Sequence, residues 1–422
     1  MNRVVITGMG IVAPNAVGLD AYRRALNEGR SGIGHAAQMK ELDFACQVAG
    51  IPQVSDDTAR EYLGPELLRN SNSCMKYAVI ASLECWRDAN LPPPQVDSDV
   101  DWNTAAIIGT SNGGIDTIGD FVVPETDGGR VRRLGSSAAE RVMASCASAS
   151  VGGLLGLGGQ VTTNSSACAT GTEAIVNAYW MIREGRIERV LAGASEASSV
   201  YIWACLDALR VTMRKSNDRP EAACRPLSAT AGGLVPAAGA GILMLENLAS
   251  AESRKAHIYA EVLGGLTNGG GQRNGGSITA SNPEGVRRCV QEALEISRAR
   301  PSEIDYINGH LTGTTADAKE IRCLSAALGR SLRDMPWVNA TKSLIGHGLG
   351  AAGSMESVAA VLQLADGFLH ASINCEDFHP EIAELAPRVP QASISAQCQL
   401  ALKTSLGFGD INSCVVYKRW QN

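Results

Sequence analysis

The chain alternates short, continuous apolar runs with longer stretches in which apolar residues recur every three or four positions. The runs "VVITGMG", "TAAIIGTS", "VTTN", "VLAGAS" and "GILMLE" come first, followed by "IYAEVLGG", "DYINGH", "WVNATK" and "CVVYK". Each has the length and apolar content of a buried strand. Between them lie helical patterns. Ala174, Ile175, Ala178, Tyr179 and Ile182 keep one apolar face, and so do Met355, Val358, Ala359 and Leu362. Gly185 and Gly367 mark where these two helices stop. Strands alternating with helices in this way predict an α/β fold with buried strands.

Two stretches repeat one plan. "QVTTN", the small-residue turn "SSACATG" and a helix form the first. "PWVNATK", the small-residue turn "SLIGHGLGAAG" and a helix form the second. Two such units predict a duplicated core. The boundary falls within "MLENLASAESRKAHIYAE", which divides the chain into residues 1–252 and 253–422.

Composition narrows the class without changing this picture. With 422 residues the chain can bury large cores, and 45% apolar with 19% charged residues is ordinary for a soluble globular protein. A formal charge of −6 argues against nucleic-acid binding. No run reaches the ~18 apolar residues of a membrane span. The opening "MNRVVITGMGIVAP" enters a strand at once, without a signal-peptide pattern. Twelve irregularly spaced cysteines without a CxxC pair suit neither a disulfide framework nor a zinc site. Reduced thiols in the cytoplasm are the expectation.

Candidate chemistry centres on Cys168, set among Ser165, Ser166, Ala167, Ala169, Thr170 and Gly171. A tight turn that needs small residues would account for the stretch, and the other cysteines, Cys205 and Cys289 for example, read as buried structural thiols. A thiol at a strand-to-helix junction has a second use. Unpaired N–H groups and the helix dipole should stabilise its thiolate and lower its pKa, and a thiolate accepts acyl groups from thioesters. Of six histidines, His310 ends the strand "DYINGH" and His347 lies in "TKSLIGHGLGAAGSMES". Both sit at carboxyl ends of predicted strands, where α/β folds place ligands. His35, His257, His370 and His379 lack such context. Lys342 alone could be a solvated lysine, and Glu356 alone an exposed helix acid.

Four ordered motifs, "SSACATGTEAI", "NGHLTGTTADAKE", "TKSLIGHGLGAAGSMES" and "SLGFGDINSCVVYK", together with "SGI" and "GTSNGG", make the chain resemble a β-ketoacyl-[acyl-carrier-protein] synthase over its full length. The resemblance implies a thiolase-like, duplicated, layered αβαβα fold. It also implies a decarboxylative Claisen condensation without metal or redox cofactor, on substrates carried by the phosphopantetheine of an acyl carrier protein. Cys168 then matches the acyl-accepting nucleophile, and His310 and His347 match the pair that promotes decarboxylation. Lys342 and Glu356 match a supporting charged pair. Phe408 matches an aromatic gate, its backbone N–H joining that of Cys168 as an oxyanion hole. Asn112, Thr312, Thr314, Gly407 and Gly409 are expected along the substrate's path.

Several positions depart from the pattern of the family. Leu311 follows the first histidine in place of Gly, and the loop carrying Asp317 and Glu320 is shorter. Asp410 and Ile411 follow "GFG", Leu227-Ser228 follow "RP", Ala238 replaces an acid, and Asn112 stands where an apolar residue is common. These departures touch the loops around the site and predict a specialised polyketide, aryl-polyene or other unusual acyl product. An acidic carrier protein calls for a basic patch, for which Arg130, Arg132 and Arg133 are candidates. The chain is expected as a homodimer or in a ketosynthase heterodimer. The rivals are a degradative thiolase, disfavoured by the His–His pattern, and a non-catalytic chain-length-determining partner subunit, disfavoured by Cys168.

Overall fold

A computed structural model describes residues 1–95 and 99–421. Eleven strands share one sheet: β1 Val4–Ala13, β2 Ala16–Val17, β3 Thr104–Gly109, β4 Val161–Thr162, β5 Arg189–Glu196, β6 Gly239–Asn247, β7 Ala260–Gly269, β8 Tyr306–Asn308, β9 Trp337–Asn339, β10 Leu400–Gly407 and β11 Ile411–Arg419. Their order is β9-β8-β10-β11-β7-β1-β6-β5-β3-β4, with β2 folded back on β1. Five strands from residues 260–419 lie on one side, and five from residues 4–247 on the other.

The two sides repeat one pattern of pairing. β3 is parallel to both β4 and β5, and β5, β6 and β1 then run antiparallel in turn. Likewise β8 is parallel to β9 and β10, and β10, β11 and β7 run antiparallel in turn. They meet where Val4, Val5 and Ile6 of β1 pair with Val262, Glu261 and Ala260 of β7.

Seven helices matter for the site: α1 Ser73–Asp88, α2 Thr170–Arg183, α3 Val200–Ala208, α4 Pro283–Ser297, α5 Asp317–Leu328, α6 Lys342–Ile345 and α7 Ala352–Asp366. α1 covers β1 and β6 from one side, and α4 covers β7 and β11 from the other. α2 and α7 pack together between the two halves of the sheet, completing helix–sheet–helix–sheet–helix layers. That central position explains a difference from the pattern read along the chain. One apolar face was expected on each helix, yet every residue of α7 from Ala352 to Leu364 is buried. Small side chains make this possible. A Cβ on Gly171 would lie 2.6 Å from the Ser354 nitrogen, and one on Gly353 would lie 2.3 Å from Thr172 Oγ1. The two helices therefore approach each other through glycine, at a spacing any larger residue would break.

The strand β10 is not among the apolar runs of the sequence, because "LALKTSLG" interrupts its apolar residues with Lys403, Thr404 and Ser405. All three are buried. Among the described residues, no helix is long and apolar enough to cross a membrane.

Candidate active site

Cys168 lies two residues before the start of α2, in a turn where Ala167 adopts φ +49°. A non-glycine residue in this region costs energy and persists only where the surroundings enforce it. Here the end of β10 enforces it. A Cβ on Gly407 would lie 2.6 Å from the Ser166 carbonyl oxygen and 3.2 Å from the Ala169 nitrogen, so the turn rests directly on bare backbone. No side chain caps the start of α2.

The thiol is half-buried and lines a cavity of about 840 Å³. A sulfur and one nitrogen from each of His310 and His347 lie within 4.8 Å of one another. The two rings stand 5.3 Å apart, centroid to centroid, at an interplanar angle of 84°. Both imidazoles are held by their inner nitrogen. The Leu349 N–H donates to Nδ1 of His347 at 3.0 Å, and the Lys342 ammonium donates to Nδ1 of His310 at 3.4 Å. With Nδ1 accepting, a neutral ring carries its proton on Nε2. Burial holds both histidines well below the usual imidazole range, and the positive charges of Lys342 and Lys403 add to this. The site thus holds two neutral N–H donors beside a thiol. The same three residue types could ligate a soft metal ion, but both Nε2 atoms would first have to give up their protons.

Lys342 and Glu356 form the expected pair, both buried behind the histidines. Lys342 also donates to the His310 carbonyl oxygen at 2.6 Å. A third member, unmarked in the sequence, is Lys403 on β10, fully buried and 2.7 Å from the second oxygen of Glu356.

The thiol departs from expectation. Its pKa is pushed up to about 11, because burial outweighs the nearby Lys342 charge and the Phe408 N–H. The resting group is therefore the thiol, and the helix start does not leave a standing thiolate. The Phe408 N–H faces the sulfur.

Other residues fall into place around the cavity. Asn112, Thr312, Thr314, Gly407 and Phe408 line it. Asn112 donates to Ser111 Oγ at 2.8 Å, and Ser111 in turn donates to the buried Glu196. Gly409 is not among the lining residues; at φ +91° it turns away, donating its N–H to Ile278 at 2.7 Å. Asp410 explains the departure after "GFG". Its buried carboxylate accepts the N–H of Gln272 at 2.9 Å and of Asn282 at 2.8 Å, tying a segment that lines the cavity through Thr279, Ala280 and Ser281.

Leu227 and Leu311, two further departures, enter one apolar cluster, both with positive φ. Acids of α5 hold them: Asp317 accepts the Leu227 N–H at 3.0 Å, and Glu320 accepts the Leu311 N–H at 2.9 Å. Cys289 is buried as expected, whereas Cys205 is exposed on α3, on the face turned away from the core. Arg132 and Arg133 are exposed and Arg130 pairs with Glu125 at 2.8 Å; none of the three lines the cavity.

A thiol with two donating imidazoles, at the head of a cavity on a thiolase-like fold, defines a thioester-handling site of the condensing class. The family model described as "Beta-ketoacyl synthase, N-terminal domain" matches residues 1–251, and "Beta-ketoacyl synthase, C-terminal domain" matches residues 259–376. The chain belongs to the beta-ketoacyl synthase family. It is 32% identical to 3-oxoacyl-[acyl-carrier-protein] synthase 1 of Haemophilus influenzae, covering 100% of both chains. It is 32% identical to the chloroplastic 3-oxoacyl-[acyl-carrier-protein] synthase I of Arabidopsis thaliana, covering 99% of this chain and 87% of that one. Among solved structures, it resembles a chain of the complex described as "type II PKS acyl-carrier protein in complex with its ketosynthase bound to the hexaketide". That likeness has 30% identity and a TM-score of 0.88, over 99% of this chain and 100% of that one. The ishigamide ketosynthase/chain length factor superposes with a TM-score of 0.89 at 26% identity, over 100% of both chains.

As a member of this family the chain is an acyltransferase that catalyses carrier-protein-dependent condensation in fatty acid or polyketide synthesis. Enzymes of the family use no cofactor of their own, the substrate being carried on phosphopantetheine.

Proposed function

We propose that the chain is a complete condensing enzyme, with Cys168 as nucleophile and His310 and His347 as the decarboxylation pair. The observation that carries this reading is the convergence of one thiol and two imidazoles within 4.8 Å at the cavity wall. In the first half-reaction Cys168 Sγ attacks the thioester carbonyl of the acyl carrier. A new C–S bond forms, and the carrier sulfur departs with the proton that Cys168 gives up. A thiol held near 11 transfers that proton in the same step as the attack, so no resting thiolate is required.

In the second half-reaction malonyl carrier loses CO2, and the electron pair of the broken C–C bond becomes an enolate. The two Nε2–H groups donate to the enolate oxygen. The enolate carbon attacks the acyl-Cys168 carbonyl, whose oxyanion lies against the N–H groups of Cys168 and Phe408. Collapse expels the Cys168 sulfur, which recovers a proton from water. Lys342 and Glu356 hold His310 from behind. Asn112, Thr312, Thr314 and Gly407 line the substrate's path, and Asn112 puts a polar wall there, which favours an unusual or oxygenated acyl chain over a long saturated one.

Residues 1–252 and 253–422 are read as the two halves of the duplication, a division supported by the repeated strand pairing and the two family matches. Arg132 and Arg133, with Arg130, supply a basic face for the acidic carrier. Assembly as a homodimer or ketosynthase heterodimer, in the cytoplasm, belongs to the same reading.

The test is incubation with acyl carrier and malonyl carrier, read by intact mass and CO2 release. Covalent acylation confined to Cys168, lost in Cys168→Ala, supports the synthase. His310→Ala and His347→Ala should each lower CO2 release about 100- to 1000-fold. An unacylated protein that instead binds tightly to another ketosynthase would be the chain-length-determining partner. Reverse cleavage of a coenzyme A thioester would mark a thiolase.

A further inference from the structure

Lys403 is a fully buried lysine that none of the steps above employs. It projects from β10 toward the Glu356 carboxylate, and around its nitrogen stand three acceptors: Glu356 Oε2 at 2.7 Å, Ser405 Oγ at 3.3 Å and the Thr404 carbonyl oxygen. The Thr404 carbonyl oxygen and Ser405 Oγ accept hydrogen bonds from it, and Glu356 Oε2 is its ion-pair partner. Lys342 donates to Glu356 Oε1, the His310 carbonyl oxygen and His310 Nδ1. One carboxylate therefore divides its two oxygens between two ammonium groups, and only one of these ammonium groups touches a histidine.

We propose that Lys403 is a positioning residue for the condensation: by occupying one oxygen of Glu356 it leaves Lys342 free to hold His310 by ring and backbone. Without Lys403, Glu356 Oε2 is a buried anionic oxygen with no cation, and the nearest remaining one is Lys342. A buried anionic oxygen without a cation is costly, which favours a shift of the Glu356 carboxylate and the Lys342 ammonium toward each other. Lys342 would be drawn away from Nδ1 of His310, and that ring would lose the contact that sets its proton on Nε2.

Charge acts in the same direction. The groups facing the two rings are Lys342 from α6, Glu356 from α7, Lys403 from β10, Glu320 and Asp317 from α5, Glu196 from β5, and Cys168. Of these groups, the Lys342 and Lys403 ammonium charges act most strongly on both rings. This disfavours a proton on either imidazole, and His310 protonated on Nδ1 would oppose the Lys342 ammonium directly. Losing Lys403 lets the rings take up protons at higher pH.

The inference rests on the assignment of His310 to decarboxylation, and the experiment separates the two. Wild type, Lys403→Met, Lys403→Gln and Lys403→Arg are compared for acyl uptake on Cys168 by intact mass and for malonyl-carrier decarboxylation as a function of pH. Wild type that takes no acyl group on Cys168 overturns the functional reading itself. Given an active wild type, Lys403→Met should keep stoichiometric acylation and a similar KM for malonyl carrier. Its kcat for CO2 release should fall about 10- to 100-fold, and the acid limb of its profile should move to higher pH. Lys403→Arg, which retains the charge, should restore most of the rate and the original limb. Lys403→Gln, which keeps a donor for the Thr404 carbonyl oxygen but no charge, should behave like the Met variant and serves if that variant fails to fold. An unchanged profile and rate in Met and Gln, or equal losses in acylation and decarboxylation with the limb unmoved, would sink the proposal.

Discussion

Glu320 joins the chemistry of the site to the stability of the whole chain, and its replacement by Gln tests both. The residue stands in the first turn of α5 with its carboxylate turned back under His310. One oxygen accepts the His310 N–H at 2.7 Å and the Thr404 hydroxyl at 3.2 Å, and the other accepts the Leu311 N–H at 2.9 Å. Burial, aided by the charge of Asp317, pushes its pKa from 4.5 up to about 7. A glutamine keeps one oxygen and turns an NH2 toward the other backbone N–H, leaving a buried donor without an acceptor. That loss costs about 1–3 kcal/mol at every pH.

The charge adds a part that depends on pH. The folded-state value lies above the unfolded one, so the contribution of Glu320 favours folding at low pH and is lost as pH rises through 7. Between about pH 5 and pH 8 the change is about 2–3 kcal/mol, which Glu320→Gln removes. For a chain of 422 residues this is roughly 3 °C in Tm. Wild type should therefore exceed the variant most at acid pH, and the gap should narrow by about that amount toward pH 8. Other raised carboxylates such as Glu84, also near 7, titrate equally in both proteins and cancel in the difference. Paired melting curves across this range are the assay. A gap that stays constant, or that widens as pH rises, would show that Glu320 is ionised in the fold throughout and refute the reasoning. CO2 release should fall as well, since His310 loses one of its two backbone anchors.

Two further expectations follow from the thiol. Alkylation of Cys168 should accelerate about tenfold per pH unit from neutral pH upward, without a plateau before pH 9, because its thiolate is scarce below 11. It should be followed on the Cys168 peptide, since the exposed Cys205 reacts too, and a plateau already at pH 7 would mean a standing thiolate. Gly407→Ala should lower acyl uptake sharply and cost about 1–3 kcal/mol of stability, because its methyl group meets the Ser166 carbonyl oxygen at 2.6 Å and displaces the Cys168 turn. Wild-type acylation in that variant would show that the turn can move aside.

What the amino-acid sequence determined by itself was the alternation of strands and helices, the repeat, and the choice of Cys168, His310 and His347 from twelve cysteines and six histidines. These were legible because each rests on local chemistry. Small residues at a strand end mean a backbone held close to something else, and a cysteine or histidine among them has been given room. The tertiary structure alone decided how those groups are charged and held. Nothing local in "LALKTSLG" announces that Lys403 meets Glu356, because their contact depends on packing β10 beside α7. The same packing buries that strand's polar residues Lys403, Thr404 and Ser405. The ionisation of Cys168 reversed expectation for a related reason. A helix start can be read along a chain, but desolvation depends on everything that surrounds the sulfur, and here burial outweighs the Lys342 charge and the Phe408 N–H. Leu227, Leu311 and Asp410 looked like departures one at a time, and only folding brought the two leucines into one cluster and gave Asp410 a loop to hold. Covalent order sets which groups are available; the water removed around them sets what they do.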